Sequence, residues 1–287
     1  TGPEAWEDVP TFVVIDPTVA NIQTFIAHEL NHVLQYGYDA READMIYEAT
    51  AVWMEDEIYD TVNDYTFYVG DFQAAPERAL SYATYEGSYM YGAALFVHYL
   101  ASFGGDGHLI EPLWDGMKQT GATNTVDFYD SVEAQMATLG GFSDLETVYA
   151  DFAGIRYAYG ALGTFDEGAD IDPVEVLATL PLDALENGTS ANPPMGLGAN
   201  YLVVTTTGAA PDDTVTLTVN GDDDGPWAIT VVTDDGSGQV FSDTDGSVEA
   251  TVNGLDQTAF VAFAVTHGGG VDAGPDLSTG PGGHTID

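Results

Sequence analysis

The chain contains no cysteine. Disulfide cross-links, thiolate metal ligands and cysteine nucleophiles are therefore excluded. Basic residues are nearly absent: Arg41, Arg78, Lys118 and Arg156 stand against 47 acids, for a formal charge of −43 over 287 residues. So few cations exclude nucleic acid and anionic membrane as partners, because both are bound through clustered Lys and Arg. Most acids can have no basic partner either, so the surface repels itself. Salt relieves that repulsion, since the screening length falls from about 10 Å at 0.1 M to about 3 Å at 1 M. The balance points to a saline or calcium-containing medium. Calcium is a second, structural cofactor candidate. No run of eighteen apolar residues exists to form a transmembrane segment. No signal peptide is visible at Thr1–Trp6, and the chain does not begin with methionine; together these are expected of a processed product.

Against these absences stands one concentrated motif, His28-Glu29-Leu30-Asn31-His32. Two histidines four residues apart lie one turn apart on a helical face, so both imidazoles can reach one metal ion. A glutamate beside the first can act as base toward a water at that metal. The context is helical: Ile22, Phe25, Ile26, Leu30, Val33 and Leu34 recur at three- and four-residue spacing, predicting an amphipathic helix over 18–36 packed on a core. The β-branched run Thr11–Ile15, closed by Asp16-Pro17, reads as a strand and turn ahead of it. The plainer alternative is two histidines on the surface of an ordinary helix.

Catalytic zinc needs a third protein ligand and an open position. A second helical pattern, Arg41 to Tyr59, contains Glu48, sixteen residues after His32. A turn near Tyr36–Asp39 would fold this helix back and present Glu48 to the histidines. Glu42, Glu55 and Glu57 compete for the role, and spacing leaves Glu48 only modestly ahead.

His28-Glu-Leu-Asn-His32 followed by Glu48-Ala-Thr-Ala51 and Trp53-Met-Glu55 resembles the gluzincin zinc metallopeptidases. More narrowly, it is similar to secreted bacterial metalloproteases with an H-E-x-x-H-x-x-Q helix and then a W-x-x-E-[GA]-x-A-x-[WY] helix. Gln35 and Trp53 fit; Met45 replaces the leading tryptophan, with the aromatic Tyr47 close by. The resemblance covers roughly residues 12 to 160 and includes the segment Tyr89–Phe96 as the family's next core helix. It implies zinc held by His28, His32 and Glu48, Glu29 as general base, and a protein or peptide substrate. It also implies that Tyr89 or Tyr91, across the cleft, donates to the oxyanion of the tetrahedral intermediate. Secretion or display at the cell surface, in a saline setting, is expected chiefly from the same resemblance. His98 is a weaker candidate, expected as a core-edge residue of a helix over 88–102.

Two departures matter. Thermolysin-like gluzincins place an aspartate four residues after the ligand glutamate to orient a zinc-bound histidine; here that position is Val52. Glu55 and Asp44 are the candidate substitutes. The family also builds a sheet ahead of its motif helix, and only about twenty residues precede this one, enough for one or two strands. A truncated sheet is the expectation.

The expected fold is α+β and multidomain. Residues 1–165 read as a mostly helical, zincin-like domain; 172–267 as an all-β sandwich; 268–287, with seven glycines, as a flexible tail. Further helices are expected over 91–103, 108–118 and 124–139. A last one is expected to open on the capping box Ser143-x-x-Glu146. Strands are expected at 200–207, 213–219, 227–233, 246–253 and 257–266. The acidic turns Asp222–Gly225, Asp234–Gly236 and Asp243–Gly246 can attract calcium, but none matches an EF-hand loop and hairpin turns explain them better. Three functions compete: a zinc peptidase, a surface-binding or adhesion protein whose zincin-like domain has lost activity, and a zinc enzyme acting on another bond.

Overall fold

The computed structural model describes residues 11–268, apart from 19, 41, 85–86, 105–108, 119–125, 166–169, 184–189, 222–224 and 244–245. The class is α+β. The helices are α1 (Ile22–Gln35), α2 (Asp44–Ile58), α3 (Thr66–Gln73), α4 (Tyr89–Gly92), α5 (Ala94–Gly104), α6 (Ile110–Met117), α7 (Phe128–Ala134) and α8 (Leu145–Leu162). The strands are β1 (Ala178–Pro181), β2 (Gly198–Thr205), β3 (Thr214–Asn220), β4 (Trp227–Thr233), β5 (Gly238–Asp243), β6 (Ser247–Asn253) and β7 (Phe260–His267). None of the described helices is long and apolar enough to cross a membrane.

The chain packs as two units. One holds the described chain through Phe72 together with Ser81–Asp144; the other holds Gln73–Leu80 and the described chain from Leu145 onward. The packing therefore divides the helical run before α8 rather than at 165. α8 belongs with the strands because its small residues let it approach the sheet closely. A Cβ on Gly154 would sit 2.6 Å from Thr230 Cγ2. Thr230 Oγ1 donates to the Ala150 carbonyl at 2.5 Å, and the Tyr201 hydroxyl to the Ala153 carbonyl at 2.9 Å.

The first unit corrects the sequence reading at three places. The apolar stripe of α1, expected to pack on a core, faces outward: Phe25 is 40% exposed, Ile26 36%, Leu30 51% and Leu34 58%. The buried positions are Thr24, Ala27, Asn31 and Gln35. Directed bonds decide the helix's rotation, since α2 offers partners to this polar face. The Thr11–Ile15 run forms no strand among the described residues, and Phe12 and Val14 are exposed. The single helix expected over 88–102 is broken into α4 and α5. Gly92 lies under α3, where a Cβ would come within 2.6 Å of Phe72 Cβ and the Tyr68 carbonyl oxygen.

α7 is shorter than the expected 124–139. Asp127 caps it: the Asp130 amide donates to Asp127 Oδ1 at 3.0 Å, and the Asp127 amide to Asp130 Oδ2 at 3.3 Å.

In the second unit one sheet runs β1-β2-β7-β4-β5 and the other pairs β3 with β6. Among the described strands only β1 and β2 pair in parallel. The two sheets share a core in which Ile229, Ala250, Val261 and Phe263 are buried and Val215, Leu217 and Val219 pack against them. Thr216 and Thr218 alternate outward, bonding Thr251 and Glu249 across the pair. The opposite face of the larger sheet packs Tyr201, Ala262 and Ala264 on Ala153 and Tyr157 of α8. One face of the strands is thus covered by a helix, where strands alone were expected. β1 and β5 are additional to the expected strands. Asp234–Gly236 is a hairpin turn between β4 and β5, with the Thr233 amide donating to the Ser237 carbonyl at 3.1 Å and Gly236 at φ 79°. The other two acidic turns lie partly, and the glycine-rich tail almost wholly, outside the described residues.

Candidate metal centre

α1 is preceded by Asn21, whose φ of 51° suits an asparagine in the left-handed region. The chain turns after Gln35 through amides that donate back to helical carbonyls, Gly37 to Leu34 and Asp39 to Gln35. The Tyr47 hydroxyl then donates to the Asp39 carbonyl, tying the turn to α2. This brings α2 back alongside α1.

The fold-back groups His28, His32 and Glu48. One ligand atom from each lies within 4.8 Å of the others, and together they can hold a metal ion. Glu48 Oε2 is 3.0 Å from His28 Nε2 and 3.6 Å from His32 Nε2. Tetrahedral zinc with ligand bonds of 2.0–2.1 Å would set its ligand atoms about 3.3 Å apart. The two observed distances bracket that spacing. The imidazoles meet edge to face with centroids 4.7 Å apart, and all three side chains retain limited access to solvent.

Each histidine is also held from behind. His28 Nδ1 donates to Glu55 Oε1 at 2.6 Å. Glu55, not Asp44, is the carboxylate that reaches it, and Val52 is fully buried. His32 Nδ1 lies 2.7 Å from Gln35 Oε1. Glu42, a competing ligand, is buried beside the Ala43 amide, and Glu57 is exposed.

Without a metal the group is an ion pair. Burial lowers the His28 pKa, but Glu48 and then Glu55 outweigh it and hold the imidazole at about 9. Burial raises Glu48, and the two histidines outweigh that and bring it to about 2. Glu55 is raised, chiefly by burial, with Asp64 and Glu48 adding to it against the pull of His28. Metal ligands must be deprotonated, so an ion would displace the His28 proton.

Glu29 is half-buried on α1, next to His28. The two tyrosine candidates separate. Tyr89 is buried, its ring 5.0 Å from Phe72 and 5.5 Å from Tyr82, as an interior packing residue. Tyr91 is half-buried with its ring 6.3 Å from His28. His98 is enclosed next to Tyr65, and burial lowers it to about 4. Tyr68 of α3 had no signal in the sequence. Its ring is 5.2 Å from Tyr91, and its phenol is raised by burial and by Glu55, Asp64 and Glu48. The packing of α3 on Gly92 of α4 makes it a neighbour of the site.

No protein-family model matches this chain, and no curated protein or solved structure matches it.

Proposed function

We propose that the chain is a zinc-dependent peptidase of the gluzincin kind, with His28, His32 and Glu48 as metal ligands and Glu29 as general base. The observation that carries this is the convergence of the three side chains from two helices, with Nε2 of both histidines turned toward one Glu48 oxygen. Zinc bound there would supply Lewis acidity, polarising a substrate carbonyl and lowering the pKa of water toward about 7. Glu29 takes the proton of the attacking water and delivers it to the leaving amine. Tyr91 is the donor best placed to stabilise the oxyanion, and Tyr89, being interior, is set aside. Glu55 keeps His28 oriented, doing what an aspartate does in the thermolysin-like pattern.

In this reading the first unit is a zincin-like catalytic domain. The second is a β-sandwich with α8 on its outer face, and the protein works outside the cell in a saline medium. The α1 surface supports one competing reading, an adhesion or surface-binding protein: Phe25, Leu30 and Leu34 form an apolar stripe at the surface, as binding faces do. One pair of measurements separates the two. The wild type should copurify with close to one zinc and hydrolyse unfolded protein. Glu29→Gln should keep the metal and lose activity by at least about 100-fold, the lower end of what a general base contributes. Equal cleavage by both proteins, or a wild type without zinc, defeats the peptidase.

A further inference from the structure

Gln35 closes α1 three residues after His32, and it is 2% exposed. Its nitrogen, Nε2, lies 2.9 Å from the Tyr47 carbonyl oxygen and 2.6 Å from Thr50 Oγ1. A carbonyl oxygen carries no proton, so the group facing Tyr47 has to be the donor end of the amide. Thr50 agrees. Its hydroxyl proton goes to the Ile46 carbonyl at 2.7 Å, leaving Oγ1 to accept from Gln35. Two acceptors on α2 therefore fix which way round the amide stands. Its oxygen faces His32 Nδ1 at 2.7 Å and can only accept. Nδ1 must then carry a proton, so a metal can reach His32 only through Nε2. His32 Nε2 faces Glu48 Oε2 at 3.6 Å, on the side of the ring away from Gln35.

We propose that Gln35 is a positioning residue for the metal centre: its amide, oriented by the Tyr47 carbonyl and the Thr50 hydroxyl, holds His32 as the Nδ1–H tautomer with Nε2 free to bind metal. This rests on the reading of His32 as a ligand. The two histidines are thus oriented by different chemistry, His28 by an acid and His32 by a neutral amide. A neutral partner fixes the proton on Nδ1 without adding another buried charge to a site that already holds Glu48 and Glu55. The link also joins the two ligand-bearing helices, because the bonds run from His32 on α1 through Gln35 to Tyr47 and Thr50, which flank Glu48 on α2.

The test is the ¹⁵N spectrum of the histidines in metal-free protein, recorded at a pH high enough that the imidazoles are uncharged, combined with zinc affinity measured by chelator competition. In the wild type, His32 should show the Nδ1–H tautomer. Gln35→Leu, close to the same size, should revert it to the Nε2–H form that free histidine favours and weaken zinc binding by about 10–100-fold. Gln35→Glu keeps an acceptor for Nδ1–H, so it should hold the tautomer and retain more of the zinc affinity than Gln35→Leu. A purely structural tie between helices would lower stability equally in both variants and leave the tautomer unchanged. An Nε2–H His32 in the wild type overturns the proposal before any variant is made, as does unaltered zinc affinity in Gln35→Leu. A wild type with the Nδ1–H tautomer but no zinc binding overturns the ligand reading instead, which separates the two failures.

Discussion

α1 and α8 bury different mixtures of side chain: mostly polar on α1, and mostly apolar on α8, where Arg156 is the exception. α8 turns Leu145, Val148, Phe152 and Ala153 inward and lays its small residues against β4. α1 turns Thr24, Asn31 and Gln35 inward and leaves Phe25, Leu30 and Leu34 in water. The contrast extends to the units that contain them. Among the described residues, the buried carboxylates Asp39, Glu42, Glu55 and Asp127 all belong to the first unit, and the second buries sheet faces of Val, Ile, Phe and Ala. Apolar burial does most to position α8, with hydrogen bonds to Thr230, Tyr201 and Gln73 added to it, whereas directional bonds to α2 and Asp64 position α1 with its apolar stripe left out. A helix held in the second way presents defined atoms at a defined angle, as a metal centre demands.

The comparison is sharpened first by Phe152→Ala. Emptying this fully buried position on α8 should cost about 3–5 kcal/mol, measured by denaturant titration; a loss under about 1 kcal/mol would remove the packing half of the contrast. His98 tests the other half. Its folded value of about 4 lies below the roughly 6.5 of an exposed imidazole, so the unfolded chain takes up the proton first as pH falls. Its contribution is complete above pH about 6.5, declines between about 6.5 and 4, and amounts to about 3 kcal/mol in all. Melting followed across that window should show the first unit weakening ahead of the second, and His98→Gln should flatten the response. Simultaneous weakening, or a His98→Gln protein with an unchanged acid limb, would show that the buried imidazole is not the cause. The smallest effect is expected on α1: Leu30→Gln and Leu34→Gln should each change stability by no more than about 0.5 kcal/mol. Losses of 2 kcal/mol or more would mean that this face is covered in solution.

The α+β class and most of the second unit were legible because alternation in a strand names its inner face directly, as Val215, Leu217 and Val219 do. β5 escaped, since six residues between acidic turns carry too short a pattern to register. The grouping of His28, His32 and Glu48 was legible in part: one helical turn fixes the first pair, whereas spacing put Glu48 only modestly ahead of Glu42, Glu55 and Glu57, and the resemblance singled it out. The orientation of α1 was not. Periodicity finds a stripe but does not say which side faces in, and here the hydrogen-bonding side outcompeted the apolar one. Glu55 lay among several candidates, and Gln35 stood only as a match to a pattern. Its role depends on Tyr47 and Thr50 arriving from another helix.

The outward face of α1 also bears on how these molecules meet one another. A chain of charge −43 is kept apart from its copies at low ionic strength by repulsion that acts over a Debye length of about 10 Å. At molar salt that barrier contracts to about 3 Å, while contact between apolar surfaces is undiminished or stronger. Leu30 and Leu34 then become accessible to neighbours that charge had held off. The colloidal behaviour of the protein therefore runs against its conformational one: the medium that quiets repulsion within each molecule also lifts the repulsion between them.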